Sequence, residues 1–178
     1  DRPRGKSAQN VAPPRAAATF VCVARPSEAP PPSPRTASGP PPKLPEDYLA
    51  GAISAPSPVV RARLARAGLA TRGPLDRTTH AMLLRQLYMA HFESRRFRKA
   101  YDVALQALAL RVMVDVVHQD AARAATALGH HEDAIGHLRL AARRGPSPRR
   151  AFHHWTLGGA LFLLGRHAES AGSLDRAS

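Results

Sequence analysis

An internal repeat narrows what this chain can fold into more than any other feature of it. Phe97, Ala100, Ala104 and Ala107 align with His131, Ala134, Leu138 and Ala141, 34 positions later. These in turn align with His167, Ser170, Leu174 and Ala177, a further 36 positions on. Members of each set stand three or four residues apart, so they share one face of a helix. Gly129 and Gly165 each stand two residues ahead of the histidine that opens their set. Glycine at such a place ends the preceding helix, because it takes the left-handed backbone without steric penalty. A helix, turn and helix of this length cannot bury its apolar stripe alone and becomes stable by stacking on copies of itself.

The local pattern agrees with the repeat. Thr78 to Glu93 carries Met82, Leu83, Leu87, Ala90 and Phe92 at mixed three- and four-residue spacing with no Gly or Pro, which predicts a helix. Phe97 to Val116 continues in the same manner, and no period-two strand pattern competes. Gly129, Gly145-Pro146 and Gly165 divide the remainder into short helices. Upstream, Glu46-Asp47 open a short helix through Tyr48 and Leu49, and Ser57-Pro58 reads as an N-cap followed by proline in the first turn of a helix to about Ala67. On that helix Val60, Leu64 and Ala67 share one side, with Arg61, Arg63 and Arg66 mostly elsewhere.

Leu157-Gly158, Gly165, Leu174 and Ala177 in the third unit, with Pro146 in the loop of the second, resemble the signature of the tetratricopeptide repeat (TPR) family over about residues 81–178. The sequence departs from that signature in places. His154 stands where the family often has Trp, with Trp155 one residue on; Ala121-Ala122 replace Leu-Gly; and Arg95 replaces Gly in the first unit. Related helical-hairpin repeats share much of this pattern. The resemblance implies an all-α, right-handed solenoid of about three helical hairpins, over 81–114, 115–150 and 151–178, within a repeat region 78–178 and after short helices and a linker over 45–77. Leu161, Leu164 and Leu174 on the last hairpin are then expected to be partly uncovered, awaiting further repeats or a partner.

Most of the 17 prolines lie before residue 58, and residues 1–44, rich in Pro, Ala and Arg, carry too few large apolar groups to offset roughly 1–2 kcal/mol of backbone entropy per ordered residue. A disordered arm is expected there, with Pro31-Pro32-Ser33-Pro34 and Pro40-Pro41-Pro42-Lys43 as linker rather than polyproline ligand. Cys22 stands alone, which excludes a disulfide framework or Cys-rich zinc site within one chain. The apolar run from Ala16 to Ala24 is far too short to span a bilayer. A start at Asp1 rather than Met reads as that of a fragment or processed product. The compartment is not fixed by these residues, with the cytoplasm slightly favoured, and no oligomeric state follows from them.

The formal charge of +13 points to an acidic partner. Of the 26 Lys and Arg only Lys6, Lys43 and Lys99 are lysine, however, and so Arg-heavy a composition fits a GC-rich genome equally well. In the resembled family the first helices of the hairpins line a concave groove, which here implies Met82, Arg85, Met89 and Phe92 with Gln119 and Arg123, extended by Phe152, Trp155 and Phe162. Met and aromatic groups interrupted by guanidiniums suit a protein or peptide with apolar anchors and an acidic group. Met82, Phe92 and Phe152 serve equally as core between repeats. The family's carboxylate-clamp subclass is not implied, since Met89, Asp120, Phe152 and Thr156 occupy four of its places and only Arg85 agrees in charge. A second reading takes Arg95, Arg96, Arg98, Lys99, Arg143, Arg144, Arg149 and Arg150 as a basic edge for nucleic acid or an anionic surface. The pairs His130-His131 and His153-His154, and His137, read as solvated or loop residues rather than metal ligands, and Asp102, Glu132, Asp133 and Asp175 as ion-pair partners or helix-start charges. No phosphate loop, Gly-x-Ser-x-Gly elbow or His-Glu-x-x-His is present. The expected function is a non-catalytic interaction scaffold without cofactor or metal.

Overall fold

A computed structural model describes residues 44–178, so the expected arm, with Cys22 and its proline runs, lies outside the described residues apart from Leu44. The described part is all-helical: α1 Pro45–Ile53, α2 Pro58–Leu69, α3 Arg77–Glu93, α4 Phe97–Ala109, α5 Val114–Ala127, α6 His131–Arg144, α7 Ser147–Leu163 and α8 His167–Leu174, with a final 3-10 turn Asp175–Ala177. Each helix packs on the next in chain order, and α1 also reaches α3. The result is a right-handed stack of helical hairpins, α3–α4, α5–α6 and α7–α8, behind the α1–α2 hairpin.

Local signals start these helices. The Ser57 hydroxyl accepts from the Val60 N–H at 3.3 Å, and Asp76 Oδ1 accepts from the Thr78 and Thr79 N–H groups at 2.8 and 3.0 Å, satisfying first-turn donors of α2 and α3. Inside the three hairpins one turn recurs. Arg95, Gly129 and Gly165 adopt φ of 56°, 78° and 73°. The N–H of the next residue, Arg96, His130 or Arg166, then donates to the carbonyl of His91, Ala125 or Leu161, at 2.9 Å each time. This left-handed closure satisfies the last carbonyls of the first helix and aims the second back along it.

The helix expected over Phe97 to Val116 is interrupted. α4 ends at Ala109 and α5 begins at Val114, with Arg111 and Met113 at φ 55° and 48°. The break lets α5 fold back, burying Val117, Ala121 and Ala124 in one cluster with Ala100, Val103, Ala104 and Ala107. That burial outweighs two strained residues, and no Gly or Pro marks it in the sequence.

The core has two parts. One spans α1 to α5 around Leu84, Leu87 and Tyr88; the other joins α5, α6 and α7 through Ala122, Ala125, Ile135, Leu138 and Leu157. Leu161, expected to be uncovered, belongs to the second and is 1 % exposed. It is Phe162 and Leu163, next to it on α7, that face outward, while Leu164 is half-buried and Leu174 exposed. Gly158 marks the closest approach of the last pair: a Cβ there would lie 2.7 Å from Leu174 Cγ.

The recurring turn gives an opposed pair of outcomes. A Cβ at Gly165 would meet nothing within 4 Å, so Gly165→Ala isolates the backbone penalty and is expected to lower stability by about 1 kcal/mol. Arg95→Gly relieves the same penalty and is expected to raise stability by up to about 1 kcal/mol. Urea denaturation of the two variants checks both signs.

Candidate functional site

The first helices of the three hairpins are joined side by side by ion pairs. Arg85 Nε on α3 donates to Asp120 Oδ2 on α5 at 2.9 Å. Arg149 on α7 grips Asp115 on α5 with Nε and Nη2, at 2.8 and 3.1 Å, and His153 Nε2 lies 3.1 Å from the same carboxylate. An ionised carboxylate only accepts, so His153 carries its proton on Nε2 there. The two aspartates are buried alike but titrate in opposite directions. At Asp120 burial dominates and raises the carboxyl, against the pull of Arg85. At Asp115 burial also raises it, but hydrogen bonds from Arg149 and His153 together outweigh burial and hold it below the usual range.

Around these pairs lies a cavity of about 250 Å³ that brings Arg85, Gln119, Arg123 and Phe152 together with Arg149 and His153. Phe92 joins them from α3, since the Arg123 guanidinium stands 4.8 Å over its ring. Trp155 stacks on Phe152 with centroids 6.2 Å apart and is 63 % exposed. Met89 and Phe92 are half-buried against the first core cluster, and Met82 is half-buried outside the cavity. Phe162, at the far end of α7, is exposed and touches His167 instead.

Of the basic residues nominated as an edge, Arg95, Arg96, Arg98 and Lys99 are exposed around the α3–α4 turn, and Arg143 and Arg144 at the end of α6. Among the described residues none of them pairs with a carboxylate. Arg149 stands apart from that edge because Asp115 holds it toward the groove, and Arg150 Nη2 reaches the Gly145 carbonyl at 3.4 Å. Sequence reasoning missed Asp115, the bond between Asp120 and Arg85, and His153. The available signal was an aspartate and an arginine one repeat length apart on first helices.

A second polar cluster joins α4, α5 and α6. Tyr101 Oη lies 3.2 Å from His137 Nε2, and His137 Nδ1 lies 3.0 Å from His118 Nδ1. Burial, then the neighbouring His137 and Arg144, push His118 down to about 4. Burial lowers His137 as well, opposed by Asp133. Both imidazoles are therefore neutral at pH 7, one donating to the other. Among the described residues no three His, Cys, Asp or Glu side chains are grouped to hold a metal ion, and no helix is long and apolar enough to cross a membrane.

The geometry defines a TPR-like stack with a groove across its first helices, and comparison with known structures agrees. A crystal structure of MamA, a TPR-like protein, superposes with a TM-score of 0.63 at 18 % identity, covering 75 % of this chain and 75 % of that one. At that identity the likeness is one of fold. No protein-family model and no curated protein sequence matches the chain.

Two outcomes follow from these charges. Asp115→Ala strands His153, which is 1 % exposed, and is expected to lower stability by about 2–3 kcal/mol in urea titrations, whereas Arg149→Ala, removing a half-exposed partner, is expected to change it by about 1 kcal/mol or less. Because His118 is depressed in the folded chain, the unfolded chain binds more protons below its ordinary value of 6.5, so stability falls as pH drops from 6.5 toward 4. Replacing His118 by Leu is expected to flatten that part of the urea midpoint against pH curve.

Proposed function

We propose that the chain is a non-catalytic interaction scaffold that holds a protein segment, within a larger assembly, along the groove formed by α3, α5 and α7. The observation that carries this reading is the grouping of Arg123 with Phe92, Phe152 and the exposed Trp155. An indole and a phenyl ring in water, beside a guanidinium, fit a segment that has an apolar anchor next to a carboxylate. Arg85 and Arg149 already hold aspartates, so Arg123, which has no carboxylate partner among the described residues, is the cation left to read an acidic group. The TPR-like fold supports protein partners in general and leaves the partner of this chain to experiment.

A second reading rests on the exposed Arg95, Arg96, Arg98 and Lys99, which have no carboxylate partner among the described residues and make a compact cationic surface for nucleic acid. Salt and nuclease separate the two. The full chain is immobilised and exposed to lysate of its source before and after nuclease treatment and at low and high salt. The scaffold reading expects a discrete protein that survives both treatments, with binding weakened about thirtyfold by Trp155→Ala and about tenfold by Arg123→Ala. Recovery only of nuclease-sensitive, salt-sensitive material, lost on replacing Arg96 and Arg98 and indifferent to Trp155→Ala, would replace it by the second reading.

A further inference from the structure

The stack repeats imperfectly at its last hairpin, and a cavity lies beside the imperfection. His154 stands 36 positions after His118, and Ser173 stands 36 after His137, the offset that relates His167 to His131. In the middle hairpin the two imidazoles meet at 3.0 Å and fill the space between helices. In the last hairpin the second imidazole is a serine. Its side chain is too short to reach across, so His154 Nδ1 is buried without a hydrogen-bond partner, and both residues line a cavity of about 550 Å³ between α6 and α8. Its floor is apolar, made by Ala142, Leu157 and Leu161, all nearly fully buried.

The rim is cationic. Arg139, Arg143 and Arg176 border the cavity with one carboxylate, Glu169. That carboxylate is shared between Arg139, at 2.6 Å, and Arg166, at 2.7 Å. Arg143 and Arg176 thus face the opening with no carboxylate partner among the described residues. His154 adds no charge of its own, because burial, then the fields of Arg176 and Arg150, keep it below its ordinary range. An apolar floor of this volume under two free guanidiniums has the makeup of a small-molecule site, where shape and apolar lining give affinity and a few polar groups fix orientation.

We infer that the cleft between α6 and α8 binds a small amphipathic anion, a short hydrocarbon chain ending in a carboxylate or phosphate, with the chain on Leu157 and Leu161 and the anionic head between Arg143 and Arg176. The site lies between second helices, away from the groove of first helices, and stands independently of the scaffold reading. Arginine suits such a head because its planar fork donates two parallel hydrogen bonds to either oxyanion.

Isothermal titration of the full chain with octanoate and with octyl phosphate tests this, with octanol and inorganic phosphate as partial ligands and vesicles of anionic lipid as the membrane-bound source of the same head group. Saturable binding of at least one amphipathic anion is expected, with Kd on the order of 0.1 mM, and much weaker binding of octanol or phosphate alone. Ser173→His should set an imidazole beside His154 as in the middle hairpin, narrow the cleft over Leu157 and Leu161 and weaken binding at least about tenfold. Arg176→Ala, which leaves the packing intact, should weaken it about tenfold. Absence of saturable binding, octanol binding as tightly as the anions, full binding by Arg176→Ala, or binding to anionic vesicles with none to the free anions would each overturn the proposal.

Discussion

Ala100, Ala104 and Ala107 on α4, and Ala134 and Ala141 on α6, are almost completely buried, and their methyl groups set how near successive helices come to one another. A methyl group removes little apolar area from water, so no single contact of this kind holds two helices together. The gain is summed over many close backbone approaches, which requires each helix to leave its predecessor in the same direction. That requirement falls on the left-handed turn at residues 95, 129 and 165. Arginine at the first of these shows that direction matters more than local ease: the chain tolerates a strained Arg95 to keep α4 in register with α3. Larger side chains then fill what alanine leaves, Tyr88 and Leu83 in the first half and Ile135 and Leu161 in the second.

An Arg-heavy chain has to place its charge without breaking so thin a core, and ion pairs of repeat length are how this one does it. Arg85 with Asp120, Asp115 with Arg149, and Glu132 with Arg166 each join neighbouring hairpins. Their energetic weights differ with burial. Glu132 and Arg166 meet at the surface, where such a pair contributes little, while Asp115 is buried and satisfied by three bonds, so removing it leaves partners stranded. Among the described residues, cations without a carboxylate partner stand around the α3–α4 turn, at the end of α6, on Arg123 and on Arg176.

Much of the fold was legible because it rests on patterns that recur. Helical spacing, the glycines at 129 and 165 and the serine before Pro58 each act through backbone geometry that one residue reports. The break between α4 and α5 was hidden because Leu110 to Met113 contains no residue that prefers a left-handed backbone; tertiary burial decides it. The groove was half legible. Arg123, Phe92 and Phe152 came from the resembled family's placing of first helices along it, but whether Arg85 is free or engaged depends on Asp120, about one repeat length away on the next first helix, a spacing that no single helix shows. Trp155 and Phe162 were grouped from sequence, and the structure sets them at different parts of α7.

The repeat also separates what the fold demands from what it permits. Trp155, Phe162 and Leu163 on α7 occupy the columns of Gln119, Thr126 and Ala127 on α5, 36 positions earlier. On α5 those columns are polar or small, and Thr126 and Ala127 are exposed, so hairpin packing places no apolar requirement on them. On α7 the same columns carry an indole, a phenyl ring and an isobutyl group, each more than half exposed. Apolar side chains of that size in water are unfavourable to solubility and add nothing to the core they turn away from. The fold therefore does not account for their presence on α7, and the proposed scaffold reading does, since they lie along the same helix that contributes Phe152 to the cavity.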